Sequence, residues 1–162
     1  MKKVILATIL SLSIGLGFTA CNKSNSTSTY STSTYGVHAM IRGVQFDATD
    51  TKATHRRDTL PVHLRDTVTI IGKAPIGLET EVLSLTVYNF IGAANYKILP
   101  GTHNASAYFT LKGDTIRATY GNIYLQTLDS IRMQGTFYFS SDSLKADSLI
   151  VHDGTFNVIN NY

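Results

Sequence analysis

The residues of this 162-residue chain that could do chemistry are few and widely spaced. There are five histidines: His38, His55, His63, His103 and His152. No two of them have the spacing of a paired metal site such as H-x-x-x-H. One stretch holds His55 and His63 together with Asp58 and Asp66, so a fortuitous metal site is one interpretation there. A solvated loop is the favoured one, and we predict no metal ligand.

Catalytic patterns are equally sparse. The only glutamates, Glu79 and Glu81, are two apart at the start of a predicted strand and would share one face. They could be a glycosidase carboxylate pair, but charges that discourage edge-to-edge pairing explain them better. Neither a G-x-S-x-G elbow nor a phosphate-binding glycine loop occurs. We therefore predict no catalytic residue and no cofactor, and keep a hydrolase only as a remote alternative.

The strongest motif surrounds the single cysteine. Lys2 and Lys3 precede an apolar run over residues 4–18, and Thr19-Ala20 leads into Cys21. This order is typical of a secretory signal, and as a helix the run would span only about 22 Å, too short to cross a bilayer comfortably. The segment before the cysteine resembles a lipobox, although Phe18 replaces the usual aliphatic residue. The resemblance implies cleavage before Cys21 and its acylation, which would anchor the chain.

Charge and composition limit the partners. Removing Lys2 and Lys3 lowers the formal net charge from +3 to +1, so we predict no nucleic-acid partner. Residues 22–25 (Asn-Lys-Ser-Asn) hold no acidic cluster, which favours the periplasmic side of the outer membrane over the cell surface. The predicted partners are the membrane, through the lipid, and a protein or glycan.

Six tripeptides have the form Asp, Ser or Thr, then an apolar residue. They resemble O-glycosylation sites of exported proteins in Bacteroidota-type bacteria. An alternative is that Asp-Thr ends a turn before a strand, and both interpretations can hold together. The candidate acceptors are Thr59, Thr67, Thr115, Ser130, Ser143 and Ser148.

The chain divides into three predicted parts: a signal peptide at 1–20, a lipidated tether at 21–36 and an all-β domain at 37–162. The tether repeats Ser-Thr-Ser-Thr-Tyr and has no apolar face, so it cannot repay the entropy of ordering itself. Beyond it the apolar residues alternate with period two, as in residues 130–139, where Ile131, Met133, Phe137 and Phe139 share a face. We predict an antiparallel β-sandwich of about nine or ten strands, with a closed or partly open barrel as the alternative.

Two local features complete the fold prediction. The charged stretch near residues 49–66 is expected to be a long loop, either solvated or disordered or binding a partner. Gly135-Thr136-Phe137 is echoed by Gly154-Thr155-Phe156, which predicts that these two strands pair. A β-bulge at Asp153-Gly154 would keep both ends of the last strand facing the core, and a two-residue hairpin there is the alternative.

Tyrosines offer a binding surface. Tyr88, Tyr108, Tyr124 and Tyr138 fall on polar faces of predicted strands. Such a surface could bind glycan or protein, although half-buried strand tyrosines are the simpler interpretation.

The domain resembles a family of uncharacterised lipoproteins from Bacteroidota-type bacteria. The similarity runs from about Ala39 to Val158 and is carried by residues 40–48, by 94–98 and by the two Gly-Thr-Phe segments. It implies an all-β fold and a lipoprotein, with no activity or site residue attached. The expected function is an outer-membrane lipoprotein that acts as a non-catalytic binding or structural module. The alternative is a surface-exposed accessory lipoprotein that binds glycan or protein.

Overall fold

The described residues form two antiparallel sheets that pack face to face. The computed structural model describes residues 35–57, 66–129, 131–142 and 148–160. The sheets are not closed into a barrel, so the predicted β-sandwich is confirmed. These described residues form eleven strands, instead of the nine or ten expected for the domain. They are β1 (Gly36–Ile41), β2 (Val44–Ala48), β3 (Asp50–Arg57), β4 (Asp66–Ile76), β5 (Glu79–Val87), β6 (Asn95–Ile98), β7 (Ala105–Leu111), β8 (Asp114–Arg117), β9 (Tyr120–Leu128), β10 (Arg132–Ser140) and β11 (Ile150–Ile159).

Sheet A has the order β2-β1-β11-β10-β9-β6, and sheet B has the order β3-β4-β5-β7-β8. Only Thr49 separates β2 from β3, so the chain crosses there from an edge of sheet A to an edge of sheet B. The inner faces meet in one apolar core, whose largest side chains include Phe46, Phe139, Phe156 and Met133. Alternation of apolar and polar residues gives each strand one face for this core, because successive side chains point to opposite sides.

The two Gly-Thr-Phe segments pair with each other as predicted. Gly135 lies opposite Phe156, and Phe137 lies opposite Gly154, across the β10–β11 ladder. A Cβ on Gly135 would lie 2.5 Å from Cζ of Phe156, and one on Gly154 would lie 2.5 Å from Cε2 of Phe137. Each glycine therefore makes room for the phenylalanine ring of the other segment, which explains why the sequence repeats both residues.

The predicted bulge is present, but its strained residue is different from the expected one. Strand β11 continues from Ile150 to Ile159, with a register shift against both β1 and β10. Asp153, rather than Gly154, has the left-handed backbone, with φ of 52°. Aspartate tolerates this region better than most residues, and the following glycine serves the packing of Phe137.

The prediction of a long loop over residues 49–66 is wrong in its first half. Residues 50–57 form β3, which pairs residue for residue with β4, from Asp50 opposite Lys73 to Arg57 opposite Asp66. Of its inward positions only Ala53 is fully buried, while Thr51 and His55 are polar and partly exposed. This edge strand lacks an apolar alternation because its core-facing side holds small and polar residues. Residues 58–65 lie outside the described part.

Strand β4 continues through Pro75 to Ile76. Strand β3 reaches only as far as Lys73, so Pro75 has a neighbouring strand on one side only, where a residue without an N–H is tolerated. Ile131 does not face the core but is 63% exposed. It belongs to a turn in which the Asp129 carboxylate accepts the N–H groups of Ile131 and Arg132, at 2.7 and 2.6 Å.

Candidate ligand-binding cleft

A cleft opens between the two sheets where three hairpin ends come together. The β1–β2 turn (42–43), the β4–β5 turn (77–78) and the β7–β8 turn (112–113) all lie at this end of the sandwich. Strand β1 runs from the opposite end, at Gly36, up to Ile41, which lines the cleft. The cleft therefore lies at the end of the domain remote from the point where β1 begins.

The lining is mostly apolar. The cleft has a volume of about 320 Å³, within the range of roughly 300–1,000 Å³ typical of ligand pockets. Both sheets contribute apolar side chains: Ile41, Val44, Phe46, Ile76, Phe109, Leu111, Ile116 and Leu149. Phe46 and Phe109 meet edge to face, with centroids 6.2 Å apart, and are both buried. Val44 and Ile76 are 67% and 44% exposed, so the inner part is core and the outer part meets solvent.

Four polar residues complete the lining: Arg42, Gln45, Glu81 and Lys112. Arg42 and Lys112 each occupy the first position of a two-residue hairpin turn followed by glycine. Their φ angles are 50° and 54°, and those of Gly43 and Gly113 are 77° and 83°. These signs match a type I′ turn, in which asparagine, aspartate or glycine is preferred. The N–H of Arg42 also donates to the carbonyl of Ile150 at 3.1 Å, which ties its turn to β11.

Glu81 is the acidic member of the cleft. It lies opposite Ala74 in the β4–β5 ladder, and Ala74 faces the core. The Glu81 side chain therefore points to the inner face, and burial raises the pKa of its carboxyl group. Among apolar neighbours, Glu81 gains a proton more easily than an exposed glutamate.

The explanation of the glutamates as charges on a sheet edge is wrong. Strand β5 lies inside sheet B, between β4 and β7. Glu79 and Glu81 do share the inner side, as their spacing predicts, but Glu79 is at the exposed end of the strand. Sequence reasoning did not single out Arg42 or Lys112. The signal was a basic residue before glycine in two turns that favour asparagine.

None of the described histidines lines the cleft. His38 Nδ1 lies 2.7 Å from an Asp47 oxygen on the outer face of sheet A, and this hydrogen bond lowers the pKa of Asp47. His55 Nε2 lies 3.6 Å from Asp66, and its ring meets Phe90 edge to face at 5.3 Å. Within the described ranges, no three His, Cys, Asp or Glu side chains form a cluster that could hold a metal ion. His63 and Asp58 lie outside those ranges.

The four tyrosines predicted on polar strand faces divide between the outer faces of the two sheets. On sheet B, the Tyr88 hydroxyl is 3.3 Å from Ser106 Oγ, and the Arg117 guanidinium lies over the Tyr108 ring at 5.9 Å. On sheet A, Tyr124 and Tyr138 are joined by Tyr120, and the three are 44%, 57% and 45% exposed. Strand pairing puts Asn122 opposite Tyr138. We call Tyr120, Tyr124 and Tyr138 the tyrosine face.

Three of the six candidate glycosylation sites can be placed. Thr115 is exposed in β8, with its Oγ1 2.9 Å from Thr110 Oγ1. Thr67 is half-buried near the start of β4, and Ser148 is half-buried before β11. Asp66 and Asp114 begin β4 and β8, which is the arrangement expected where Asp-Thr ends a turn. Thr59, Ser130 and Ser143 lie outside the described residues, as does Cys21.

We compared the chain with protein-family models, curated proteins and solved structures, and none of them matches it. A functional assignment therefore depends on the sequence and on the cleft. The part of the chain that the structure describes contains no helix long and apolar enough to cross a membrane.

Proposed function

We propose that this chain is a lipid-anchored, non-catalytic binding module of a bacterial outer membrane, placed on its periplasmic side. In this proposal the end cleft is the binding site and takes an apolar group. The observation that carries the proposal is the cleft itself. Apolar side chains from both sheets line a space of about 320 Å³, and four polar residues lie at its margin.

The position of the cleft supports an anchored binding module. The proposed tether (21–36) leads into β1, and the cleft lies at the far end of that strand. A chain held at Cys21 would carry the cleft at the end of the domain remote from its point of attachment. A ligand could then enter without displacing the anchor.

The anchoring half is tested on the mature chain isolated from membranes of the producing cells. We expect its intact mass to correspond to a chain beginning at Cys21 and carrying acyl chains. A mature chain with an unmodified thiol would contradict the proposal. If the protein is on the favoured periplasmic side, protease added to intact cells should leave it whole. Cleavage of the protein in this experiment would instead indicate a location on the cell surface.

The binding half is tested with two neighbouring residues. Ile76, the last residue of β4, lines the cleft. Leu78 lies two residues further along, in the β4–β5 turn; it is fully exposed and does not line the cleft. Native mass spectrometry of the full chain extracted from membranes should show a retained small molecule. We expect Ile76→Asn to abolish retention and Leu78→Asn to leave it intact. An empty wild-type protein, or equal loss in both variants, would count against the cleft.

A second candidate function is recognition of a glycan by the tyrosine face. Its three exposed rings present flat apolar surfaces with polar hydroxyl tips. The Asn122 Oδ1 atom beside them is buried and has no hydrogen-bond partner among the described residues. Titration with soluble polysaccharides tests this function. Tyr138→Ala should weaken binding, whereas Tyr108→Ala on the opposite sheet should not.

A further inference from the structure

We propose that the glycan of the tyrosine face is an acidic polysaccharide that contains uronic-acid residues. Its sugar rings lie on the tyrosines, and one of its carboxylates pairs with Lys97 at the neighbouring edge of sheet A. The inference rests on the second candidate function, because it names the class of glycan that the same face takes. Three observations lead to it: the uncharged centre of the face, the lysine on β6 and a polar hollow beyond that strand.

The centre of the tyrosine face carries no charge. Strands β9 and β10 pair side by side, and six outward side chains of the paired region are all neutral: Tyr120, Asn122, Tyr124, Thr136, Tyr138 and Ser140. Aromatic rings with hydroxyl tips suit sugar rings in general. They do not distinguish a neutral sugar from an acidic one, so this selectivity must come from the margin of the face.

The margin on the β6 side supplies a cation. Lys97 lies opposite Asn122 in the β6–β9 ladder, and it is exposed while its two neighbours in the strand are buried. Leu125 donates its N–H to the Ala94 carbonyl at 3.0 Å, so Ala94 and Leu125 form a hydrogen-bonded pair. Three residues further along, Lys97 and Asn122 are therefore a non-hydrogen-bonded pair, the kind in which side chains lie closer together. Lys97 thus adjoins the tyrosine face directly.

The charges on the two flanks of the face are opposite in sign. Among the described residues, no ion pair or hydrogen bond holds the Lys97 ammonium group. On the other flank, His152 and Asp153 lie at the bulge across from Tyr138, and His152 Nδ1 is 2.8 Å from an Asp153 oxygen. A carboxylate on the ligand is attracted to the β6 side and repelled by the Asp153 carboxylate. The acidic sugar unit therefore belongs beside Lys97.

The third observation is a hollow of about 350 Å³ that begins at β6. Asn95 and Lys97 line it and also lie on the exposed side of the strand, so the hollow continues the tyrosine face. Three further polar residues of the lining are Tyr88, Asn89 and Asn104. Amide side chains donate and accept hydrogen bonds, as sugar hydroxyls require. Because neighbouring strands lie about 4.8 Å apart, a ligand that runs from β10 to this hollow must be a chain of several sugars.

The experiment uses the full chain, extracted from membranes in a neutral detergent, and isothermal titration calorimetry. The probes are polygalacturonate, polymannuronate and hyaluronate, each compared with its carboxyl-reduced form, in which every carboxylate is replaced by a neutral hydroxymethyl group. We expect an acidic polymer to bind about fivefold more tightly at low salt than its own reduced form, as one exposed ion pair allows. High salt should shrink this difference, because it screens the pair.

Three variants locate the preference. Lys97→Gln should remove the preference for the acidic form and leave the affinity for the reduced form unchanged. Lys73→Gln is the matched control, because Lys73 is an exposed strand lysine of sheet B. Both variants should keep the urea midpoint of unfolding, since both positions are exposed. Asn104→Ala should weaken the acidic and reduced forms alike, by about fivefold for a lost hydrogen bond in the hollow.

The outcomes distinguish this inference from the function on which it rests. Equal affinity for acidic and reduced polymers, or an acid preference that survives Lys97→Gln, would overturn the acidic assignment and leave glycan recognition standing. In that case Lys97 would serve only to discourage pairing at the sheet edge. An Asn104→Ala variant that binds like the wild type would remove the hollow from the site. Binding of none of the six polymers, or binding unaffected by Tyr138→Ala, would overturn glycan recognition as well.

Discussion

At the scale of single residues, the polar groups of the cleft come from a few side chains in energetically unfavourable positions. A half-buried glutamate lies on the inner face of sheet B, and two basic residues occupy turn positions that suit asparagine. Natural sequences break local preferences mostly where function requires it. Alternation in the sequence predicted the face on which Glu81 lies, because the side-chain period of a strand is two. It could not predict that the face leads into a cleft, since the opposing wall comes from distant hairpins.

Glu81 gives the domain a pH dependence of stability. Burial raises the pKa of its carboxyl group above the ordinary value of 4.5, so the folded state binds this proton more tightly than the unfolded chain. The contribution of Glu81 to stability is therefore largest at low pH, and it falls as pH rises from 4.5 through the raised pKa. We expect Glu81→Gln to remove this fall and to give the more stable protein at neutral pH.

Urea unfolding at a series of pH values measures the effect. Glu79→Gln is the matched control, because Glu79 lies on the same side of the strand and is exposed. A Glu81→Gln variant whose free energy of unfolding follows the wild type at every pH would contradict the burial of the carboxyl group.

At the scale of elements, strands with an apolar face could be predicted and the polar edge strand could not. Strands β7 and β10 show clear alternation, and their buried apolar residues match it, while Ser106 on the other face of β7 is also buried. Strand β3 holds two arginines and a lysine, and its single fully buried side chain is an alanine. Its strand conformation comes from pairing with β4, a tertiary interaction that leaves no hydrophobic period in the sequence.

The burial of Ala53 tests the assignment of β3. Ala53 is fully buried and forms an isolated bridge to Asn160, where the two sheets meet. We expect Ala53→Asp to destabilise the domain by about 3–5 kcal/mol, because it buries an uncompensated charge. Thr54→Asp, the next residue on the opposite face, should cost less than about 1 kcal/mol.

Chemical denaturation of both variants provides the measurement. Equal, small losses at the two positions would show that residues 50–57 are a solvated loop, as the sequence alone suggests.

At the scale of the whole molecule, the distance between the sheets is set where β4 crosses β1 and β2. A Cβ on Gly72 would lie 2.8 Å from the Val37 Cβ and 3.0 Å from the Ala48 Cβ. Glycine at this position lets the sheets approach closely on one side of the core. The cleft lies beyond this contact, between larger side chains, so close packing in one region accompanies open space in another.

Gly72→Ala should therefore destabilise the domain by about 1–3 kcal/mol, because the added methyl group overpacks the contact. Thermal unfolding should show a lower melting temperature than that of Lys73→Ala, which changes the exposed neighbour. A Gly72→Ala variant as stable as the wild type would mean that the sheets are farther apart at this point.

The first and last described strands of the domain lie close together, which determines where the domain could be circularly permuted. Gly36 lies opposite Asn157, and Asn160 donates its N–H to the Ile131 carbonyl at the same end of the sandwich. A short linker could therefore join the last residues to the first, with new ends opened between Gly77 and Leu78 in an exposed turn. In a circular permutant of this kind the chain would begin and end beside the cleft, instead of at the opposite end of the domain. A reporter fused to the new terminus would therefore lie close to a ligand bound in the cleft.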